Sequence, residues 1–140
     1  EVALITDEQD PKFSGGSFLH VQRYRHNLSL WKSIETQKQE DVFGRTKIDN
    51  VEYSSEEKSP HAHTKRTSLK DDNGESIEIL RQSMPYGDMK QKGLFFVSYC
   101  NKPKSFEVML ESMIYGDEEG NFDHMLNLSL IKSLPSLNSH

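Results

Sequence analysis

Two histidines separated by one residue, His61 and His63, stand in the polar segment SPHAHTKRTS. Alternate side chains of an extended chain point to the same side, so this spacing would suit a metal ion. The chain has six histidines, however, and chance pairs are ordinary in a sequence this polar. The pair also lacks cysteine or carboxylate companions at the short spacing of a structural zinc site. Metal binding and a chance pair are both open interpretations of these two residues.

Arg81 is a second candidate, because it stands in the alternating segment SIEILRQSM, residues 76–84. As a strand, this segment would place Ile77, Ile79 and Arg81 on one face. An arginine on an apolar face is costly unless it meets an anion, since burial of an unpaired charge carries a heavy desolvation penalty. We therefore expect Arg81 to bind an anionic ligand, or else to form a salt bridge with a carboxylate at the edge of the core.

Arg45 and Lys47 follow Gly44 at the predicted end of a helix. A glycine cap and favourable interaction with the helix dipole explain basic residues at such a position. The same pair could hold a carboxylate of a ligand. Cys100 ends a hydrophobic strand and is expected to be an inert buried thiol.

Composition limits the classes of protein to which the chain can belong. Its 140 residues allow one domain, and 34% apolar residues with a mean hydropathy of −0.75 predict a thin core. A single cysteine excludes an intramolecular disulfide and favours a reducing, cytoplasmic compartment. The formal net charge of −5 argues against nucleic-acid binding, and no apolar run is long enough to cross a membrane.

The elements that must position these residues follow from periodicity and capping signals. Asn27 and Thr36 are predicted helix caps, Gly44 a helix end, and residues 47–70 a long loop. A helix after Pro103 should bury Phe106, Met109, Leu110 and Met113. The other predicted elements are a first strand at 17–24, a hairpin of strands at 76–84 and 93–100, and a short helix at about 122–126.

This order of elements predicts an α+β fold, an incomplete βαββαβ unit of the ferredoxin-like type. The closing strand is not visible in the pattern. The final residues, SLIKSLPSLNSH, are rich in serine and interrupted by Pro135, which predicts a frayed tail.

Several blocks of sequence, in this order and spacing, resemble the C-terminal half of dye-decolorising (DyP-type) haem peroxidases. The blocks are FSGGSFLHVQRYRHNLSLW, EDVFGRTKIDNVE, SPHAHTKRTSLK, ILRQSMPYG, GLFFVSYC and MLESMIYGDEEGNFDHML. The resemblance extends from about Ala3 to Leu126. It implies half of a dimeric α+β barrel that binds haem b, and it implies a division into a C-terminal haem-binding domain at 1–128 and a divergent tail at 129–140.

The resemblance also implies roles for individual residues. His63 falls on the iron ligand, whereas His61 is an additional histidine, and Arg81 falls on the distal arginine. Ser83 would be a second distal polar group, and Arg45 resembles the arginine beside the haem propionates. The carboxylate partner of the iron-ligating histidine matches Asp123, with Asn127 as an alternative that the sequence leaves open.

The activity implied is that of a haem peroxidase, which reduces hydrogen peroxide and oxidises small aromatic donors such as dyes and phenols one electron at a time. Arg81 would stabilise the negative charge that develops as the O–O bond breaks. A homo-oligomer is expected.

Two departures from the family pattern leave other functions open. The GxxDG motif, whose Asp is the distal acid/base residue, is absent from the chain, and the resemblance ends near Leu128. A fragment, a truncated gene product or a frameshifted end would each account for the end of the resemblance near Leu128. The alternatives to a peroxidase are a non-catalytic haem-binding or subunit-interaction remnant and a ferredoxin-like module without a cofactor.

Overall fold

A computed structural model of the chain describes residues 3–133. These residues form two compact units, one of residues 3–26, 78–106 and 130–133, and one of residues 27–77 and 107–129. The strands are β1 (Phe18–His26), β2 (Leu80–Gly87), β3 (Lys92–Cys100) and β4 (Ser129–Ser133). The helices are α1 (Leu28–Ser33), α2 (Thr36–Phe43), α3 (His63–Thr67), α4 (Lys104–Ile114) and a 3₁₀ helix (His124–Asn127).

The four strands form one sheet in the order β2-β3-β1-β4, which completes the predicted βαββαβ sequence. The closing strand, which the sequence pattern does not show, is therefore present as β4, and residues 129–133 do not form the start of the predicted frayed tail. This strand is short and rich in serine, so local pattern does not reveal it, and its partner β1 lies about a hundred residues earlier in the chain. The rest of the predicted tail lies outside the described residues.

The predicted first strand and hairpin are confirmed, because β1 and β2 both pair antiparallel with β3. Alternation along β1 buries Gln22 and Tyr24 and leaves Arg23 and Arg25 exposed. On the same face of β1, the His20 ring stacks on Phe106 at a centroid distance of 4.9 Å. Cys100 is fully buried, as its position at the end of a hydrophobic strand predicts.

The predicted burial of Arg81 is wrong. Strand β2 begins at Leu80, so Ile77 and Ile79 precede it, and Arg81 is exposed. The alternation of the segment is real, but β2 lies at the edge of the sheet, and seven of its eight residues are exposed. Burial of a strand depends on what covers it, which alternation alone does not specify.

The second unit begins with the two predicted helices. The Asn27 side chain accepts a hydrogen bond from the Leu30 backbone N–H at 3.1 Å, as expected of a helix cap. Helix α2 starts one residue earlier than the cap prediction, with Glu35 at the N-cap, and ends at Gly44 in the left-handed region with φ 72°. A Cβ on Gly44 would lie 2.4 Å from Oγ1 of Thr64, so only glycine permits α3 to approach the end of α2 this closely.

Helix α3 lies within the segment predicted to be a long loop, and its first residue is His63. Its five residues are too few to produce a visible period, which is why the sequence does not reveal it. Helix α4 buries Phe106, Met109 and Met113, as its apolar stripe predicts, whereas Leu110 is only half-buried. Within residues 3–133, no helix is both long enough and apolar enough to cross a membrane.

Candidate functional site

The site is built around a contact between His63 and Asp123, which are sixty residues apart in the chain. Nδ1 of His63 lies 2.6 Å from Oδ2 of Asp123, and the Asp123 side chain is completely buried. A carboxylate can only accept a hydrogen bond, so the Nδ1 atom carries the proton and donates it. The lone pair of His63 is then on Nε2, and 29% of this side chain is accessible. In its neutral form, His63 could therefore bind a metal through Nε2.

Asp123 is held in place by two hydrogen bonds to the backbone, one through its carboxylate and one through its own N–H. Its Oδ1 atom accepts a hydrogen bond from the Met125 backbone N–H at 2.9 Å and caps the 3₁₀ helix, while its own N–H donates to the Met113 carbonyl at 2.9 Å. The predicted short helix is thus present as this 3₁₀ helix. Of the two partners that the sequence leaves open for His63, Asp123 makes the contact. Asn127 instead lines a cavity beside α2, together with Lys38 and Asp41.

His61 turns toward different partners from those of His63. Its Nδ1 lies 3.0 Å from the Phe122 carbonyl, and its ring stacks on His124 with centroids 3.9 Å apart and planes within 8°. Burial lowers the pKa of His124, and the adjacent His61 adds to the shift. The two rings of the H-x-H pair therefore do not converge on one metal ion, contrary to the extended geometry that the spacing suggested.

The two basic residues at the end of α2 have partners within the protein. Arg45 donates through Nε to Oδ1 of Asn50 at 2.9 Å, through Nη2 to the Asn50 carbonyl at 2.8 Å and through Nη1 to Glu52 at 2.8 Å. Lys47 donates to Oε1 of Gln39 at 2.6 Å. Three of the five Arg45 donors are thus occupied, and any carboxylate of a ligand would compete with Glu52 or use the remaining donors.

Arg81 and Ser83 lie on β2, in the unit that contains the sheet. Both are exposed, and because they are two residues apart they share one face of the strand. In the sheet register Arg81 is opposite Ser98, which in turn is opposite His20 on β1. Nε2 of His20 and Oγ of Ser98 are buried without a hydrogen-bond partner among the described residues. These two polar atoms were not identified from the sequence, because their burial depends on strand pairing.

The donor set decides which kind of metal group these residues fit. Among residues 3–133, no three His, Cys, Asp or Glu side chains come together as they would around a bare ion. His63 with its carboxylate partner supplies one strong nitrogen ligand. That arrangement fits a metal that brings most of its ligands with it, as iron does in a porphyrin.

Comparison with protein families gives one match that covers nearly the whole chain. The family model described as "Dyp-type peroxidase, C-terminal" matches residues 1–134, which extends beyond Leu128, where the sequence blocks suggested that similarity ends. A dye-decolorizing peroxidase of Rhodococcus erythropolis is 38% identical over 130 residues, covering 91% of this chain and 38% of that protein. One from Mycobacterium tuberculosis is 36% identical over 129 residues, with the same coverage of both. The chain therefore spans less than half the length of these curated relatives.

Solved structures of the same kind are similar in three dimensions. A dyp-type peroxidase protein from Shewanella oneidensis has a TM-score of 0.89 at 56% identity, covering 95% of this chain and 42% of that one. A DypB variant from Rhodococcus jostii RHA1 in complex with heme has a TM-score of 0.89 at 37% identity, covering 94% and 43%. The encapsulated DyP-type peroxidase of Mycobacterium smegmatis has a TM-score of 0.90 at 35% identity, with the same coverage.

Proposed function

Because the chain belongs to the Dyp-type peroxidase family, as its C-terminal part, we propose that it is the haem-binding portion of a peroxidase. The reaction is the reduction of hydrogen peroxide with one-electron oxidation of small aromatic donors. The observation that carries the proposal is the 2.6 Å contact between Nδ1 of His63 and the buried Asp123 carboxylate, which leaves Nε2 available to iron. Bound haem b would supply the redox chemistry.

In this proposal His63 and Asp123 act together on the iron. A carboxylate that accepts the Nδ1 proton increases the electron donation of the imidazole and fixes the orientation of its ring. Because Asp123 is fully buried, water screens its interaction with His63 less than it would at an exposed site.

The other residues have roles that the family match supports. Arg81 stabilises the negative charge that develops as the O–O bond of peroxide breaks, and Ser83 offers a polar group on the same face of β2. Arg81 is exposed on this strand. Arg45 has two N–H donors beyond those bound by Asn50 and Glu52, and these are the donors proposed for a haem propionate.

The experiment that tests the function is a haem titration followed by addition of peroxide. A Soret band whose spectrum changes on addition of peroxide supports the peroxidase, and turnover of a phenolic donor completes the test. A stable haem spectrum that peroxide does not change would support the second candidate, a non-catalytic haem-binding or subunit-interaction module. The absence of any Soret band would overturn both.

Replacement of Asp123 tests the proximal pair. Asp123→Asn keeps the size of the side chain but removes its charge, so we expect haem to bind about 10- to 100-fold more weakly, the usual effect of removing such a partner. Haem affinity is measured by titration at the Soret band. Asn127→Asp is the matched comparison, since Asn127 was the alternative partner, and it should leave the affinity unchanged. Equal affinity in the wild type and Asp123→Asn would contradict the role of Asp123.

Replacement of Arg81 tests whether its positive charge stabilises the negative charge that develops on peroxide. Arg81→Leu should retain haem but react with peroxide at least about 100-fold more slowly, as expected when a preorganised charge at a developing anion is removed. Stopped-flow absorbance after mixing with peroxide measures this rate. Arg25→Leu, which removes an exposed arginine from β1, is the control. An unchanged rate in Arg81→Leu would remove Arg81 from the mechanism.

The partners and location of the protein are further parts of the proposal. Hydrogen peroxide and a small aromatic donor are its substrates, and neither nucleic acid nor a membrane is involved. The single buried thiol, Cys100, supports a reducing, cytoplasmic location. The proposal also includes association of the protein as a homo-oligomer.

A further inference from the structure

Two segments of the second unit, residues 61–66 and residues 117–124, are joined by a series of hydrogen bonds. The contact of His63 with Asp123 is one of the series. The others are His124 N to the His61 carbonyl at 3.2 Å, His61 Nδ1 to the Phe122 carbonyl at 3.0 Å, and Arg66 Nη1 to the Asn121 carbonyl at 3.1 Å and to Asp117 Oδ2 at 3.0 Å. Each residue from 121 to 124 therefore has a bond to the segment that carries His63.

Arg66 is the arginine of this series, and it stands three residues after His63 in α3. Residues at this spacing lie on the same side of a helix. Arg66 is only 8% exposed, and Nη1 donates to both Asp117 and Asn121. Its Nε is buried without a hydrogen-bond partner among the described residues. A buried guanidinium is stable only with well-placed acceptors, and the 117–121 turn supplies two of them to Arg66.

The 117–121 turn is held together by hydrogen bonds among its own residues, which do not involve Arg66. Oδ1 of Asp117 accepts hydrogen bonds from the backbone N–H groups of Glu119 and Asn121 and from the Asn121 side chain. The bonds from Asn121 lower the pKa of Asp117 to about 2, with a contribution from Arg66, so Asp117 is an anion at neutral pH. Arg66 thus attaches a preformed turn to α3, and only Phe122 separates the end of that turn from Asp123.

We propose that Arg66 is a positioning residue that holds the 117–121 turn against α3 and thereby sets the hydrogen bond between Asp123 and His63. The inference rests on the proposed function, because it concerns the ligand through which iron would bind. Arg66 touches neither iron nor substrate in this role. It acts through Asp123, whose carboxylate must meet the ring of His63 at hydrogen-bond distance.

The test compares Arg66→Met with Lys65→Met, which removes the same charge from the neighbouring residue of the same helix. The first readout needs no haem. In the apo protein, the Nδ1 proton of His63 should give a strongly downfield NMR resonance because its bond to the Asp123 carboxylate is short. We expect this resonance to disappear or move upfield in Arg66→Met, to persist in Lys65→Met, and to return in part in Arg66→Lys.

The second readout uses the haem-loaded protein. Arg66→Met should bind haem about 10-fold more weakly, the lower end of the effect of outer partners of a metal ligand, and should lower the iron–histidine stretching frequency of the ferrous form. A general loss of stability would change neither this frequency nor the resonance of the molecules that remain folded. If Arg66→Met does not fold, Asp117→Asn, which weakens the same contact from the other side, gives the same two readouts.

The outcomes separate this inference from the proposed function. An unchanged Nδ1 resonance in folded Arg66→Met, or an equal loss in Lys65→Met, overturns the positioning role even if haem binds. A wild-type protein that binds no haem overturns the proposed function, while the resonance in the apo protein still decides whether Arg66 orients Asp123.

Discussion

His63→Ala is expected to abolish haem binding, whereas His61→Ala is expected to retain it. His63 is the histidine whose Nδ1 is held by a buried carboxylate and whose Nε2 is left for iron. His61 uses its Nδ1 on the Phe122 carbonyl and its ring face on His124. If His63 is the residue that would hold the iron, its removal takes away the nitrogen that the protein would supply, so the expected effect is a loss and not a modest weakening.

The Soret band of each variant, measured during a haem titration, gives the result directly. His61→Ala is the matched control, because it removes the same ring two residues away in the same segment. Circular dichroism checks that both variants are folded, because His63→Ala leaves the buried Asp123 carboxylate without its partner. Five-coordinate haem in His63→Ala, with a normal affinity, would contradict the assignment. Loss of haem from His61→Ala alone would transfer the ligand role to His61.

Addition of the upstream half of the family protein, including GxxDG, should raise both the turnover with peroxide and the thermal midpoint. The Asp of that motif would move the peroxide proton, and a positioned acid/base group contributes about 10²- to 10⁴-fold. The stability gain has a separate cause. Leu19, Leu80 and Met84 are 58%, 56% and 56% exposed on one face of the sheet, and covering them removes apolar surface from water.

The longer chain with the GxxDG Asp replaced by Ala separates these two causes. It should keep the higher thermal midpoint and lose the gain in turnover. Steady-state oxidation of a phenolic donor and thermal unfolding followed by circular dichroism are the measurements. If the 140-residue chain already turns over peroxide as fast as the longer chain, and is a stable monomer, the interpretation of the chain as part of a larger catalytic unit is wrong.

Local signals in the sequence were sufficient for most of the fold. Asn27 predicts the start of α1 and Gly44 the end of α2, because a cap needs a particular side chain or a left-handed backbone at one position. The alternation of β1 and the apolar stripe of α4 likewise identify their buried faces. Strand β4 and the burial state of β2 were not predictable in this way, since both depend on neighbouring elements distant in the chain.

For the site, the sequence by itself determined the candidates, and the family resemblance singled out His63, Arg81, Arg45, Ser83 and Asp123 among them. It could not choose between Asp123 and Asn127 as partner of His63, because a contact across sixty residues is set by how α3 and the turn before the 3₁₀ helix pack together. The sequence also could not identify Arg66 as a neighbour of His63. Residues three apart lie on the same side only in a helix, and α3 is not visible in the sequence pattern. The tertiary structure alone decided which nitrogen of His63 carries the proton, because the hydrogen bond to Asp123 fixes the tautomer.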